Sequence, residues 1–192
     1  MMRGPALTAL ALALAACSVL HQPRLGPEAD AWTTTRDRYT QVAKLYDRFE
    51  THAIATATWQ VPEVRARRVD QVAAWKAMTA VERQAMAARE REEGARWQEF
   101  LLVLFTSDAR DNDLDAKDSV WRVALLREGQ PERLPAQVKV VRVDSLLRDL
   151  YPSIHEYDTV YRIRFARKDG DADGAATLRI AGSEGRMDFV FP

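Results

Sequence analysis

Residues Trp97 to Thr106 read WQEFLLVLFT, and every side chain from Phe100 to Phe105 is apolar, on both parities. Side chains of a strand alternate between two faces, so a run with no polar position needs apolar cover on each. That requirement excludes an open, solvent-washed sheet at this point of the chain. It calls for a second sheet on one side and helices on the other.

The rest of the sequence supplies both layers. Phe49, Thr51, Ala53, Ala55, Ala57 and Trp59 alternate with Glu50, His52, Ile54, Thr56 and Thr58, which predicts a strand. Val120 to Arg127 turns Trp121, Val123 and Leu125 inward, and Gln137 to Val143 is valine-rich with the mixed parity of a bulged strand. Tyr157, Thr159, Tyr161, Ile163 and Phe165 alternate with Val160, Arg162 and Arg164. Thr177 to Ala181 and Arg186 to Phe191 flank the turn Gly182-Ser183-Glu184-Gly185. In that hairpin Ala181 faces Arg186, Leu178 faces Phe189, Ile180 faces Met187 and Arg179 faces Asp188, because a slip by one residue would mix the apolar and charged faces. The total is about seven strands at sandwich-like spacing.

Three segments read as helix. Pro27 suits a first helical position, Glu28 and Asp30 suit a helix N-terminus, and Trp32, Tyr39, Val42, Ala43 and Tyr46 share one stripe, which predicts a helix over 27–48. Pro62 restarts helix with a stripe of Val64, Val69, Val72, Trp75 and Met78. Thr79 and Glu82 form a capping box that starts a further helix at Ala80, with Gly94 as its stop, so that 62–93 is a helical insertion. Asp144 caps a short turn over 145–150 that ends at Tyr151-Pro152. The fold class is α+β: an immunoglobulin-like β-sandwich with an N-terminal helix and a helical insertion packed on one face, forming a single globular domain over 27–192. A coiled coil followed by a separate β domain is the alternative architecture.

Ahead of that domain, Arg3 is followed by an apolar run from Ala6 to Ala16, broken only by Thr8. The run has the length of a signal-peptide core and falls short of the roughly 20 residues needed to span a bilayer. It ends in Leu14-Ala15-Ala16-Cys17, and Cys17 is the sole cysteine. This ending resembles the lipobox of bacterial lipoprotein precursors. The resemblance implies a signal peptide over 1–16, cleavage between Ala16 and Cys17, a diacylglyceryl group on the Cys17 thiol and a fatty acyl chain such as palmitate on its new amino group. Ser18 rather than Asp after the cysteine implies the outer membrane of a Gram-negative cell, on either face. Residues 17–26 would be a lipidated tether. Several acyl chains give a stable anchor where one alone is marginal.

The chain has 28 basic and 28 acidic side chains; removing Arg3 with the signal leaves 27 against 28, a net charge of −1. That balance argues against a nucleic-acid partner and leaves no polybasic patch to assist the anchor. Two loops are rich in aspartate. Asp111, Asp113 and Asp115 have the alternate spacing of hard-cation loops, and Asp169, Asp171 and Asp173 repeat the opening half of an EF-hand loop. Both lack the closing bidentate carboxylate, with Arg122 and Ile180 at those positions, so each reads first as a solvated turn. They could share a calcium ion only by lying at the same end of the sandwich.

Of the three histidines, His21 falls in the tether, His52 faces outward on its strand and His155 follows Pro152; no metal-ligand pair or catalytic triad is visible. Arg162, Arg164 and Arg179 share outward parity, with Arg167 and Lys168 beyond. They read as a solvated face paired with acids such as Asp188, or as a surface for an anionic envelope partner. The mixed-charge stretch from Glu82 to Glu93 reads as a salt-bridged surface. The sequence thus predicts a membrane-anchored envelope lipoprotein with a non-catalytic binding or assembly role toward an envelope protein or polymer, and no cofactor beyond its lipid. A calcium-dependent binding module and an envelope hydrolase are the alternatives.

Overall fold

The computed structural model describes residues 30–47, 50–168, 171 and 173–192. The signal, the lipobox, Cys17, the tether, His21, Phe49 and Asp169 lie outside the described residues.

The first helix, α1, runs only from Ala31 to Arg38, with the Asp30 carboxylate accepting from the Thr33 N–H as its N-cap. The chain then becomes strand β1, Thr40–Asp47, which corrects the helix expected through Arg48. The stripe of Val42 and Tyr46 proves to be the outward face of that strand, and both are 57% exposed. Val42, Tyr46 and Thr40 are β-formers, and pairing with the next strand decided between the two periods. That strand is β2, Glu50–Trp59, antiparallel to β1. Its alternation is as expected, with Ala53, Ala55, Ala57 and Trp59 fully buried.

Helix α2, Pro62–Trp75, buries Val64, Val69 and Val72 but also Arg65, and leaves Trp75, its last residue, 48% exposed. Helix α3, Ala80–Arg96, starts at the complete Thr79/Glu82 capping box. It passes through Gly94 without stopping and ends at Trp97, whose extended backbone opens β3, Trp97–Thr106.

The remaining elements are β4 (Trp121–Leu126), β5 (Gln137–Val140), α4 (Ser145–Leu150, capped by Asp144), β6 (Thr159–Ala166), β7 (Ala176–Gly182) and β8 (Gly185–Phe191). Tyr157 stands ahead of β6 and is 79% exposed, so it is no part of the inward stripe. Among the described residues eight strands form two antiparallel sheets, one in the order β1-β2-β3-β6-β5 and one in the order β4-β7-β8. The strand beyond the expected seven is β1.

The sheets meet through the faces that carry Trp59, Phe100 and Phe191. Trp59 stacks on Phe100 at 5.6 Å, and Phe191 of β8 approaches their rings at 5.7 and 5.4 Å. Phe100, Leu102 and Leu104 point into this core and are fully buried. Leu101 and Val103 point the other way and are 8% and 5% exposed. There Leu101 shares a cavity with Val72 of α2, Met86 of α3 and Leu147 of α4. The doubly apolar run is therefore covered by the second sheet on one side; on the other the helices reach Leu101, whereas Val103 and the half-buried Phe105 line a groove with residues of the 153–158 loop, which corrects the expectation of helix cover along the whole run.

The β7–β8 register matches every expected pair, including Arg179 opposite Asp188, and extends to Gly182 opposite Gly185. Both glycines are required. A Cβ on Gly182 would stand 2.2 Å from the Val120 carbonyl oxygen, and Gly185 has φ +135° with Leu45 packed against it.

Candidate functional site

The aspartate loops come first, because the register fixes where they lie. Trp97 pairs with Ala166, so the loop after β6 leaves from the start of β3. The loop carrying Asp111, Asp113 and Asp115 follows Thr106, the end of β3. The described carboxylates of the two loops therefore sit at opposite ends of the sheet, and a shared site is not formed. Each loop is occupied with its own bonds. Asp113 accepts from the Ser119 hydroxyl, the Asp111 carbonyl accepts from the Trp121 indole at 2.6 Å, and Asp171 accepts from Arg133 at 2.8 Å and from the Lys168 N–H. Asp173 pairs with Arg167. Among the described residues no cluster of three or more potential ligands could hold a metal ion.

The histidines are separated. His52 Nδ1 lies 2.9 Å from Glu184 Oε2 of the β7–β8 turn. His155 lines a groove of about 340 Å³ with Ser153, Asp158 and apolar residues of β2 and β3. The Asp158 carboxylate there accepts the His155 backbone N–H at 2.7 Å. Among the described residues no hydrogen bond links the Ser153 hydroxyl to the imidazole.

What the sequence did not single out is a buried ionic network between the helical insertion and the outer face of the five-stranded sheet. Arg65 and Arg68 lie one turn apart on α2, and Glu90 and Glu93 lie one turn apart on α3. Glu99 on β3 stands opposite Arg164 on β6, next to Arg162. Arg65 and Arg68 both donate to Glu90 Oε2, at 2.9 and 2.6 Å. Arg164 donates to Glu99 and Glu93, each at 2.6 Å, and stacks over the Trp97 ring. Tyr151 donates to the Gln60 side-chain oxygen, which also accepts from Arg68. Arg65 is 4% exposed and Glu99 6%. Burial alone would raise the Glu90 carboxyl, but Arg68 and Arg65 outweigh it and hold the group below its ordinary value, so it is ionised. Arg68 stays protonated: burial works against its charge, and Tyr151 and Glu90 more than offset that.

Gln60, Tyr151 and the charged residues Arg65, Arg68, Glu90, Glu93, Glu99, Arg162 and Arg164 line a cavity of about 570 Å³. Val72, Met86, Leu101, Val141, Leu146 and Leu147 also line it. Among the described residues none of the 17 in α3 is fully buried; Met86, Ala87, Glu90, Glu93 and Gly94 form a half-buried face, and the helix rests on α2 and the sheet through that face and its ion pairs. Arg162 is held only at 3.9 Å from Glu99 and its side chain is 46% exposed.

The outward arginines are thus largely paired, Arg164 with glutamates, Arg167 with Asp173 and Arg179 with Asp188. The signal that could have located the network was the matched spacing of Arg65/Arg68 and Glu90/Glu93, with a lone Glu99 in an apolar strand. A glutamate inside a doubly buried strand demands a buried cation.

No family model matches the chain, and neither the curated proteins nor the solved structures contain a match. No helix among the described residues is long and apolar enough to cross a membrane.

Proposed function

We propose that the chain is a lipid-anchored envelope lipoprotein of the outer membrane, with a non-catalytic binding role centred on the cavity under α3. The observation that carries the anchor is the sequence Leu14-Ala15-Ala16-Cys17 closing an apolar run that is too short to span a bilayer. The binding role is supported by a roomy cavity lined by both charged and apolar side chains, as small-molecule sites are. Hydrolysis is the second reading, supported by the groove that sets His155 beside Asp158 and Ser153. The sandwich itself is immunoglobulin-like on this reading. With β1 set aside, the order β2-β3-β6-β5 against β4-β7-β8 corresponds to the sheets ABED and CFG, and the helical insertion then falls between strands A and B.

Metabolic labelling with a tagged fatty acid tests the anchor. The wild-type protein takes up label and fractionates with membranes, whereas Cys17→Ser does neither. Label retained by Cys17→Ser in the membrane fraction would sink the lipoprotein reading.

A further inference from the structure

We infer that the tip of the α2–α3 hairpin, Ala74 to Val81, rests on the lipid bilayer that holds Cys17, with Trp75 and Val81 in its interfacial layer. The inference rests on the proposed anchor and gives the domain a second contact with the same membrane.

Composition comes first. Ala74 to Val81 reads AWKAMTAV and holds one charged side chain, Lys76, in a chain that is 29% charged. Trp75 is 48% exposed and Val81 75%. Ala74, Lys76, Ala77, Thr79 and Ala80 are exposed with them, and only Met78 turns back onto the core. An indole, aliphatic groups and a lysine form the side-chain set of a membrane interface, where the lysine stem lies on hydrocarbon and its ammonium reaches the phosphates.

The local sequence holds this tip in one shape. The Ala77 N–H donates to the Ala74 carbonyl at 3.3 Å and the Met78 N–H to the Ala73 carbonyl at 2.9 Å, the paired bonds of a Schellman stop to α2. Ala77 takes φ +47° there, where glycine is the usual residue, so the turn presents a methyl group rather than bare backbone. The Thr79 capping box then begins α3 at once. The apolar side chains are thus displayed on a fixed turn.

Direction is the second, independent observation. Tyr39, at the end of α1, donates to Glu63 in the first turn of α2 at 3.2 Å. Trp32, at the start of α1, meets Tyr151 edge-to-face at 5.7 Å, and the Tyr151 hydroxyl accepts from Arg68 at 3.3 Å. The start of α1 therefore lies further along α2, toward the tip, than its end does. From Arg68 to Trp75 the helix advances about 10 Å. The stretch from Cys17 to Asp30 extends to at most about 45 Å, so the anchor and the tip can reach one bilayer together. A protein partner fits less well. A standard interface takes roughly 20–30 residues from each side, and the tip supplies eight. A bilayer contact can be weak, because the anchor makes it intramolecular.

The test uses the full chain, lipidated at Cys17 and reconstituted into vesicles of phosphatidylethanolamine and phosphatidylglycerol. Cys17 is the sole cysteine, so spin labels go singly onto Ala77→Cys, Val81→Cys and, as a reference on β8, Val190→Cys, where the native valine is 64% exposed. The expected result is several-fold less relaxation by an aqueous nickel chelate, and several-fold more by oxygen, at the two tip labels than at the reference. Val81→Glu should return the Ala77→Cys label toward the reference. An acid in the first turn of α3 suits the helix, so that variant keeps its fold. Equal accessibility at the three labels overturns the contact. So does shielding that comes with spin–spin broadening and vanishes on dilution with unlabelled protein, which would assign the tip to a second copy. Lipidation is read separately by fatty-acid labelling, so a lipidated protein with a water-exposed tip refutes the contact and leaves the anchor standing.

Discussion

Arg179 donates from Nε and Nη2 to the two oxygens of Asp188, at 2.7 and 2.9 Å. The pair holds the Asp188 carboxyl below its ordinary value, chiefly through the hydrogen bonds from Arg179. Asp188→Lys should lower the melting temperature, since Arg179 and Arg186 would then both face a cation. The exchange Arg179→Asp with Asp188→Lys should recover part of the loss, and denaturation of the four proteins measures the coupling. The sign of the pH effect follows from linkage. A depressed native pKa contributes stability that is present above the unfolded value of 3.8 and lost as pH falls through the lower native value. The wild-type protein should therefore lose stability below about pH 4 more steeply than Asp188→Asn. This arginine was legible from sequence because its partner sits on the adjacent strand of a short hairpin. Arg65 was not, because its partners come from α3 and β3.

Strand β3 and helix α3 are the contrasting elements. Leu102 is fully buried between the sheets, and Leu102→Ala should cost about 2–5 kcal/mol in urea denaturation, the range for a leucine deleted from a packed core. Helix α3 has only half-buried positions among the described residues, and the ion pairs of Glu90 and Glu93 add to its hold. Because Arg68 and Arg65 hold Glu90 below its ordinary 4.5, its contribution is present above that pH and disappears as pH falls through the native value. Amide exchange in α3, corrected for the intrinsic pH dependence, should lose protection below pH 4.5 while β3 keeps its own; equal loss in both elements would show that α3 does not open separately. The capping box at Thr79 and the stop at Trp97 set the ends of α3, and Gly94 did not end it because the chain continued into a paired strand.

At the scale of the molecule, the two sheets put the aspartate loops at opposite ends, where Arg133 and Arg167 engage Asp171 and Asp173. Millimolar calcium should therefore leave the melting temperature unchanged. A rise that grows with calcium concentration would reveal a site, since ligand binding to the native state stabilises by mass action. The outer face of the larger sheet divides into a part covered by α2, α3 and α4 and a part near β1 where Val42 and Tyr46 meet solvent. The charged cavity lies under the covered part, between the sheet and the helices.

Local chemistry wrote much of this into the sequence. The period-two run of Ala53 to Trp59, the Thr79/Glu82 and Asp144 caps, the double apolar face of Phe100 to Phe105 and the β7–β8 register depend on neighbours within a few residues, so they could be read directly. The segment from Thr40 to Asp47 could not. Its apolar positions fit a helical stripe, and only hydrogen bonds to β2 made it a strand. The ionic network was still further from view, since Arg65, Glu90, Glu99 and Arg164 come from four elements and gain their meaning from burial. Short-range rules of capping, alternation and turn register fixed the elements. The pairing of distant strands and the cost of burying charge decided where the cavity lies and which groups face it.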